Sequence, residues 1–404
     1  MSDEVVIVGG GQAGYQIAAS LRTEGFAGPV FLIGDEPHPP YQRPPLSKAF
    51  VLGQQDQARL LLRPESYYAG HHIELLAGEK VIAIERGARK VRLKSGRALS
   101  YGTLVLALGG RNRRLRIPGA ELDGVCYLRT LGEAVELKQR LEHAQNVVVI
   151  GGGFVGLEVA ASARSLGKSV TVIEALPRLM ARAVGTLISE FMRAAHAERG
   201  TEMILDAQVA EIRGCLGKAT QVVLSSGRSI DADLIVIGVG IAPHTELAQE
   251  AGLPVDNGVA VDEFLRTADE NIFAIGDCAQ YPSAFSGSRV RLESVQNAVD
   301  QGVCVARAIA GKPARYGAVP WFWSDKFEIR LQMAGLPQGH DRHVVRGNPH
   351  SGKFSVFHFR GGRVCSVDSI NRPADHLAAR KLLAAKSALS PEQAADESLD
   401  LRTL

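Results

Sequence analysis

Two stretches of the chain share one pattern of apolar and polar positions. Residues 5–36 begin with an apolar run that ends in glycines, continue with a helical pattern, and close with a second apolar run and two acidic residues. Residues 147–174 repeat this order and end in one acidic residue. Short unbroken apolar runs are typical of strands that are buried on both faces of a parallel sheet. Each stretch therefore predicts a strand, a helix and a second, parallel strand.

Three glycines at G-x-G-x-x-G spacing lie between the first strand and the helix of each stretch. They are Gly9, Gly11 and Gly14 in the first copy and Gly151, Gly153 and Gly156 in the second. This spacing permits a tight turn, a close approach of the backbone to a pyrophosphate, and close packing of the helix on the strand. The N–H groups that begin the helix can bind the phosphates, and an acid after the second strand can bind a ribose. The candidate acids are Asp35 or Glu36 in the first copy and Glu174 in the second.

The two motifs predict two dinucleotide sites in one chain. The alternative is a duplication in which one site has been lost. Both copies keep every glycine and the acid, which favours two working sites.

The repeat continues beyond the glycines. Each copy is followed by a stretch that alternates between apolar and polar residues, and then by an apolar strand that ends in glycine. The alternating stretches, in which we expect small antiparallel β units, are residues 72–100 and 203–231. The strands that end in glycine are residues 104–110, 234–240 and 271–276. The repeat therefore covers a whole domain rather than one motif.

Composition excludes several other classes of protein. Of the 404 residues, 46% are apolar and 22% are charged, as in ordinary globular proteins, and the net charge of +3 is too small to indicate nucleic acid by itself. No apolar run approaches the roughly 20 residues that a membrane-spanning helix needs. Residues 1–4 lead directly into a strand and leave no room for a signal peptide, so the expected location is the cytoplasm.

The five cysteines predict buried free thiols. None of their spacings is that of a C-x-x-C redox pair or of a zinc or iron–sulfur site, and we expect no metal. Cys278 is the exception to examine, because it follows Asp277, a candidate site residue.

Two charged residues are candidates for chemistry beside the glycine loops. Residues 38–48 contain four prolines, which should forbid a helix before Leu46 and stiffen a loop that ends in Lys48. This loop could hold Lys48 beside a bound ring, or it could be an ordinary surface loop. Glu158 lies in the first turn of the second predicted helix, where the helix dipole favours an acid in any case, so a structural and a functional role are equally open.

Several short motifs together resemble one family. They are PPLSK at residues 44–48, LRT at 128–130, GDC at 276–278, ESV at 293–295 and PWFWSD at 320–325. With the two glycine motifs they resemble the FAD-dependent ferredoxin reductases of bacterial oxygenase and cytochrome P450 systems, within the glutathione reductase fold superfamily. The similarity runs from about residue 4 to about residue 373. It departs at residues 107–109, where Ala-Leu-Gly replaces the usual Ala-Thr-Gly and the threonine hydroxyl is absent.

The resemblance implies an α/β fold with two Rossmann-like dinucleotide-binding domains of the glutathione reductase type and a C-terminal α+β domain. The FAD domain would comprise residues 1–112 and 242–319, the NAD domain residues 113–241, and the C-terminal domain residues 320–404. In the last of these we expect strands near residues 327–335, 353–359 and 363–370, followed by a helical tail.

The resemblance also assigns roles to individual residues. The residues that it implies for FAD are Gly9, Gly11, Ala13 and Gly14 at the pyrophosphate, Asp35 or Glu36 at the ribose, and Lys48, Val81, Arg129, Asp277, Val295 and Trp323 at the flavin. Without the resemblance, Trp323 would more often be a core residue. The residues that it implies for NADH are Gly151, Gly153, Gly156, Glu174 and Gly240. It further implies that Glu158 pairs with Lys48 and that both take part in catalysis.

The implied function is transfer of electrons from NADH through FAD to a [2Fe-2S] ferredoxin that supplies a cytochrome P450 or Rieske-type oxygenase. The chain has no cysteine before Cys126, and PPLSK occupies the region where related enzymes have a redox disulfide. The electrons should therefore leave one at a time, through a transient complex steered by charge. Candidate basic groups for that complex are Arg63, Arg289, Arg291, Arg372, Arg380, Lys381 and Lys386. The alternatives are a rubredoxin or monodehydroascorbate reductase, an NADH oxidase, and an NADH-sensing flavoprotein like apoptosis-inducing factor.

Overall fold

The computed structural model describes residues 3–403. Its helices are α1 (Gln12–Thr23), α2 (Gln57–Leu60), α3 (Glu65–Gly70), α4 (Leu131–His143), α5 (Phe154–Ser165), α6 (Thr186–Glu198), α7 (Glu246–Glu250), α8 (Val295–Ile309), α9 (Pro373–Ala385) and α10 (Pro391–Ala395). The strands before α5 are β1 (Val5–Val8), β2 (Val30–Gly34), β3 (Ile73–Ala77), β4 (Val81–Glu85), β5 (Lys90–Leu93), β6 (Ala98–Ser100), β7 (Thr103–Leu106), β8 (Gly110–Asn112), β9 (Val125–Cys126) and β10 (Asn146–Ile150).

The strands between α5 and α8 are β11 (Ser169–Ile173), β12 (Thr201–Ile204), β13 (Val209–Cys215), β14 (Lys218–Leu224), β15 (Ser229–Asp231), β16 (Leu234–Ile237), β17 (Ile241–Pro243), β18 (Val255–Asp256), β19 (Gly258–Ala260), β20 (Ile272–Ala274), β21 (Ala279–Pro282) and β22 (Arg289–Val290). The strands after α8 are β23 (Trp321–Lys326), β24 (Ile329–Gly335), β25 (Arg342–Asn348), β26 (Lys353–Arg360) and β27 (Arg363–Ile370).

The chain forms two compact units. Unit 1 takes the chain as far as Gln42, then Leu60–Arg111 and Ala242–Phe322. Unit 2 takes Arg43–Arg59, Asn112–Ile241 and the chain from Trp323 onward. The α/β fold class expected from the sequence is confirmed, and the three-domain limits given above stay a prediction.

Unit 1 contains the first parallel sheet, with strand order β20-β7-β1-β2-β3. Its central strands are buried on both faces, which explains the unbroken apolar run of β1. The expectation of an antiparallel unit over residues 72–100 is wrong for β3, which pairs in parallel with β2. As an edge strand, β3 is buried only in part, so it shows the mixed pattern of an antiparallel strand. The rest of that stretch forms the expected antiparallel sheet β4-β5-β6.

Unit 2 contains the second parallel sheet, with strand order β12-β11-β10-β16-β9. The correction is the same in this copy: β12 pairs in parallel with β11, and only β13, β14 and β15 form the antiparallel unit expected over residues 203–231. The agreement of the two sheets in order and direction extends the repeat seen in the sequence to the folded chain.

The last sheet in the chain has five strands in the order β23-β24-β27-β26-β25, and α9 follows it in the sequence. The three predicted strands correspond to β24, β26 and β27, whereas β23 and β25 were not predicted. The sequence did not predict β23 because its buried residues, Ser324 and Lys326, are polar. β25 holds Arg346, which is 4% exposed.

Arg346 connects this sheet to the last part of the described chain. Its guanidinium group donates hydrogen bonds to the carbonyl oxygens of Asp396 and, at 2.7 Å, of Leu399. It also lies 3.4 Å from the buried carboxylate of Asp375 on α9. One buried side chain therefore holds the segment after α10 against the sheet.

The segment Pro44–Ser47 is a single 3-10 turn. The expectation of no helical residue before Leu46 is therefore wrong, because proline is tolerated at the start of a helix, where its missing N–H has no partner to lose. Within the described chain, residues 3–403, no helix is long and apolar enough to cross a membrane.

Candidate active site

The glycines of the first loop lie in unit 1 and meet different surroundings: Gly9 and Gly11 lie between β1 and α1, and Gly14 lies in the first turn of α1. A Cβ on Gly9 (φ +124°) would lie 2.1 Å from the carbonyl oxygen of Ala107, and one on Gly14 would lie 1.9 Å from that of Gly9. A Cβ on Gly11 would meet no atom of residues 3–403 within 4 Å. Packing therefore requires glycine at the two outer positions, and the open middle position fits a group that approaches from outside the protein.

The second loop, in unit 2, repeats this arrangement. A Cβ on Gly151 (φ +111°) would lie 2.4 Å from the carbonyl oxygen of Gly238, and one on Gly156 would lie 2.0 Å from that of Gly151. The middle glycine, Gly153, again faces open space in the described part of the chain. Gly11 and Gly153 precede α1 and α5, and no side chain among the described residues caps either helix. The first N–H groups of both helices are thus available to a phosphate.

Glu174 directly follows β11 and is bound to the loop of its own copy. One carboxylate oxygen accepts a hydrogen bond from the N–H of Gly152 at 2.7 Å, and the other accepts from the N–H of Leu176 at 2.9 Å. The carboxylate is therefore fixed beside the second glycine loop.

The acids of the first copy are offset from Glu174. The strand pairing places Gly34 at the position equivalent to Glu174, so Asp35 and Glu36 come one and two residues later. Asp35 is exposed. Glu36 instead accepts a hydrogen bond from the hydroxyl of Tyr41 at 2.6 Å. The comparison of the two copies in the sequence treated these acids as equivalent and did not show the offset.

Asp277 lies in a short 3-10 turn, Gly276–Cys278, that reaches the first glycine loop. A Cβ on Gly276 would lie 3.1 Å from the Cβ of Ala13, so the turn lies directly against the start of α1. Val295 begins α8, which Ser294 caps by accepting a hydrogen bond from the N–H of Asn297. α8 packs along α1. Unit 1 therefore packs the turn that holds Asp277, and the helix that Val295 begins, against α1.

Other predicted residues lie at defined places without a contact that reveals their role. Val81 begins β4 and is buried in the core of unit 1. Gly240, with φ +98°, follows β16, and its carbonyl oxygen accepts a hydrogen bond from the N–H of Arg113. The carbonyl of Arg129 accepts a hydrogen bond from Arg43 at 2.6 Å. Trp323 is partly buried on β23.

A cluster of polar groups surrounds Glu158 on α5. The sequence predicted Glu158 in the first turn of this helix, but the helix begins at Phe154 and Glu158 lies beyond that turn. Lys48 Nζ lies 2.8 Å from Glu158 Oε2, which also accepts a hydrogen bond from Ser47 Oγ at 2.5 Å. The other carboxylate oxygen, Oε1, accepts from Ser324 Oγ at 2.5 Å. Lys326 Nζ donates in turn to Ser324 Oγ at 2.7 Å. The pairing of Lys48 with Glu158 is thus present, within a larger set: Ser47 and Ser324 also bind Glu158, and Lys326 reaches it through Ser324.

The proline-rich turn and α5 hold this cluster together. Ser162, one helical turn after Glu158, donates a hydrogen bond to the carbonyl oxygen of Ser47 at 2.7 Å. The turn is thereby fixed on the face of α5 that carries Glu158, and Lys48 follows directly. Glu158 is 6% exposed, so its charge is balanced by these partners rather than by water.

Sequence reasoning missed three members of the cluster: Ser47, Ser324 and Lys326. Ser324 and Lys326 are two residues apart and point to the same face of β23, opposite to Trp323. The sequence did contain one signal: two polar residues stand at alternate positions of a segment that begins with three aromatic residues. Burial lowers the pKa of Lys326 from its ordinary 10.5 to about 8, although the charge of Glu158 acts in the opposite direction.

The comparisons with known proteins agree with this geometry. A family model described as pyridine nucleotide-disulphide oxidoreductase matches residues 3–302, and one described as reductase C-terminal matches residues 321–404. The chain belongs to the pyridine nucleotide-disulphide oxidoreductase family. The chain is similar to rhodocoxin reductase of Rhodococcus erythropolis, which is 52% identical over 98% of this chain and 93% of its own.

Two solved structures of reductases are similar to the chain over almost its whole length. The ferredoxin reductase for the CYP199A2 system of Rhodopseudomonas palustris is 46% identical and has a TM-score of 0.98, covering 100% of this chain and 99% of its own. The reductase in the covalent putidaredoxin reductase–putidaredoxin complex is 40% identical with a TM-score of 0.96, covering 99% and 97%.

This member of the disulphide oxidoreductase family has free cysteines. All five are free thiols, as predicted, but only Cys126 and Cys278 are buried. The prediction of burial is wrong for Cys215, which is exposed in a hairpin, and holds only in part for Cys304 and Cys365. Burial raises the pKa of Cys278 to about 11, and its Sγ donates to the carbonyl oxygens of Ile275 and Leu106. Cys278 is therefore a structural thiol despite its place beside Asp277, because the reactive form of cysteine is the thiolate.

Proposed function

We propose that the chain is an NADH-dependent, FAD-containing reductase that passes electrons singly to a [2Fe-2S] ferredoxin, which in turn supplies a cytochrome P450 or Rieske-type oxygenase. The observation that carries this proposal is the presence of two glycine loops with the same geometry, each open at its middle glycine. The identity of the family and the near full-length similarity to ferredoxin reductases support it.

The residues present fit two dinucleotides. At Gly11 and Gly153 a side chain would fill space that the protein leaves open, and the N–H groups of α1 and α5 face that space. We assign FAD to the first loop, with Ala13, Asp277 and Val295 beside it. We assign NADH to the second loop, with Glu174 at its ribose. The flavin roles of Asp35 or Glu36, Lys48, Val81, Arg129 and Trp323, and the contact of Gly240 with NADH, remain predictions.

FAD supplies the redox chemistry, since a bound flavin can accept a hydride and release its two electrons separately. The protein contributes positions and charges. In unit 2, Lys48 forms a partly buried ion pair with Glu158, which lies on α5, the helix that begins at the second loop. We propose that this pair orients the NADH bound there.

The lack of a cysteine pair at residues 44–48 favours single-electron delivery. The turn Pro44–Ser47 and Lys48 provide no thiol that could carry two electrons together, and Ser47 and Lys48 are instead bound to Glu158. A partner that accepts one electron at a time, such as a [2Fe-2S] protein, suits this arrangement. We also propose a cytoplasmic location, where NADH is available.

Two matched variants test which loop holds which cofactor. Alanine at Gly11 or at Gly153 should leave the fold intact, because neither Cβ would meet a described residue within 4 Å. We expect Gly11→Ala to lower the ratio of flavin to protein absorbance. We expect Gly153→Ala to keep its flavin and to raise the KM for NADH about tenfold, a loss of about 1.4 kcal/mol in binding. Loss of flavin in Gly153→Ala but not in Gly11→Ala would contradict the assignment.

The partner is tested by NADH oxidation with different electron acceptors. A [2Fe-2S] ferredoxin should support faster turnover than a rubredoxin, monodehydroascorbate or dioxygen. Faster turnover with rubredoxin would make the chain a rubredoxin reductase, and equal turnover with dioxygen alone would make it an oxidase.

A further inference from the structure

A second lysine approaches Glu158, and it is buried. Lys326 is 1% exposed, and its Nζ donates a hydrogen bond to Ser324 Oγ at 2.7 Å. Ser324 is itself buried and donates to Glu158 Oε1. Lys326 thus reaches the carboxylate through a single hydroxyl group, from the side opposite to Lys48.

The surroundings leave the charge of Lys326 only partly compensated. The groups that face it are Glu158, Lys48 and Asp325, the neighbouring ring of Phe154, and His196 on α6, next to which lies Arg199. Burial lowers the pKa of His196 to about 3, so this ring is neutral. Lys48 repels the ammonium group, while Glu158 and Asp325 attract it. Burial is the strongest of these influences, and Lys326 therefore changes its protonation state near pH 8.

We propose that Lys326 is a positioning residue for Glu158 and that it acts through the hydroxyl of Ser324. As an ammonium group Lys326 has only N–H donors. Ser324 Oγ must then accept from Lys326 and direct its own hydrogen toward Glu158. As a neutral amine, Lys326 gains a lone pair that competes with Glu158 Oε1 for the hydrogen of Ser324, so the hold of Ser324 on Glu158 weakens. The proton on Lys326 exchanges with solvent, and no other bond changes.

This inference rests on the proposed function, because reduction by NADH is the reaction that reports on Glu158. With Lys326 charged, Glu158 has fixed partners on both oxygens and its carboxylate is held in one orientation. With Lys326 neutral, Ser47 and Lys48 still hold Oε2, but the hydrogen bond from Ser324 to Oε1 is weakened. Reduction should therefore slow as Lys326 loses its proton.

The test is anaerobic stopped-flow reduction of the FAD-loaded enzyme by NADH between about pH 6.5 and 9.5. We expect the rate constant of the unmodified enzyme to fall about fivefold to tenfold across an inflection near pH 8, in line with the loss of one hydrogen bond. Lys326→Gln keeps a donor that cannot titrate, so its rate should stay high at all pH values. Lys326→Met has no donor and should be slow throughout.

Two further variants separate the role of Ser324 from general damage. Ser324→Ala should resemble Lys326→Met, and the double variant should be no slower than either single one, because both remove the same hydrogen-bond path. Lys353→Met, at an exposed lysine of the same sheet, should follow the unmodified enzyme.

A second measurement detects the titration of Lys326 without using activity. The folded pKa lies below the ordinary value, so the unfolded state binds the proton more tightly, and stability should rise between about pH 8 and 10.5. The thermal midpoint of the FAD-loaded enzyme should therefore rise by about 3–6 °C more in Lys353→Met than in Lys326→Met over this range.

A pH-dependent rate that is unchanged in Lys326→Met would overturn the inference, whether or not the midpoints differ, and would leave the proposed function intact. Slow reduction in Lys326→Gln at low pH would overturn it as well, since a donor alone would then be insufficient. If NADH does not reduce the unmodified enzyme at any pH, the proposed function fails and the inference falls with it.

Discussion

Glu174 should make the enzyme select NADH over NADPH. NADPH carries an additional phosphate on the adenosine ribose, and the acid after the second strand of such a unit is the ribose-binding group. Both carboxylate oxygens of Glu174 are held by backbone N–H groups, so the acid cannot turn away from an incoming phosphate. A like-charge contact near 4 Å costs about 4 kcal/mol at an effective dielectric constant of about 20, which corresponds to a factor of about a thousand.

Two arginines, Arg178 and Arg182, follow Glu174 in the sequence, and their positive charge would reduce the preference for NADH. The structure makes this reduction smaller than their sequence positions suggest. Arg178 donates to the carbonyl oxygens of Val184 and Ala181, so its guanidinium group is already engaged. Arg182 is exposed and can compensate part of the phosphate charge. We therefore expect kcat/KM for NADH to exceed that for NADPH by at least about 100-fold.

Glu174→Gln separates the charge of this residue from its shape. Glutamine keeps one oxygen for a backbone N–H and removes the negative charge, so the preference for NADH should fall at least about tenfold. Any disturbance of the loop should affect both coenzymes and cancel in the ratio. Glu202→Gln, which removes an exposed acid from β12, is the matched control. Similar kcat/KM values for both coenzymes in the unmodified enzyme, or an unchanged ratio in Glu174→Gln, would refute the reasoning.

Three further predictions follow from the contacts described above. Lys48→Ala and Glu158→Ala should each slow reduction by NADH while FAD stays bound, because each leaves its partner's charge without a counter-ion; unchanged stopped-flow traces in both would return the pair to a structural role. Turnover with ferredoxin should fall as salt rises from about 20 to 300 mM, because screening lengths shrink over that range, whereas reduction by NADH should change far less; equal sensitivity of the two steps would argue against steering by charge. Arg346→Met should lower the free energy of unfolding by about 3 kcal/mol, because Asp375 then loses a buried partner; a thermal midpoint equal to that of Arg342→Met, at an exposed arginine of the same strand, would contradict this.

Two of the basic residues that are candidates for steering a partner, Arg372 and Arg289, are already bound within the protein. Arg372 is paired with Asp375 at 2.7 Å, and Arg289 donates to two backbone carbonyl groups. Such residues stabilise the chain and contribute less to a surface field. Lys381 and Lys386, at the exposed side and end of α9, are better candidates for the salt-dependent step.

The fold was largely predictable because it repeats. The two glycine loops and the unbroken apolar strands beside them specify parallel sheets by local rules that hold in both copies. The edge strands β3 and β12 were misread, since a strand that is buried on one face has the same alternation whether its neighbour runs parallel or antiparallel. Direction is decided by the connection, and no pattern within the strand records it.

The candidate site was predictable only where a motif marks it. Lys48 ends the PPLSK motif, and Glu158 closely follows the second glycine motif. Ser324 also stands in a motif, PWFWSD, but its contact with Glu158 and the burial of Lys326, just beyond that motif, follow only from the folded arrangement. A lysine on a strand is exposed in most proteins, so nothing in the sequence alone indicates that Lys326 is enclosed. The one-residue offset between Glu174 and Asp35 likewise depends on strand register, which is a property of pairing rather than of composition.

The hydrogen bonds from Arg346 to the carbonyl groups of Asp396 and Leu399 bear on how the enzyme can be engineered. Residues appended beyond this segment would leave the buried guanidinium group satisfied, so a ferredoxin domain could be fused there through a flexible linker. Removal of the same few residues would instead leave a buried cation without its acceptors. We therefore expect the protein to tolerate residues that are added after this segment and to lose stability when residues of the segment are removed.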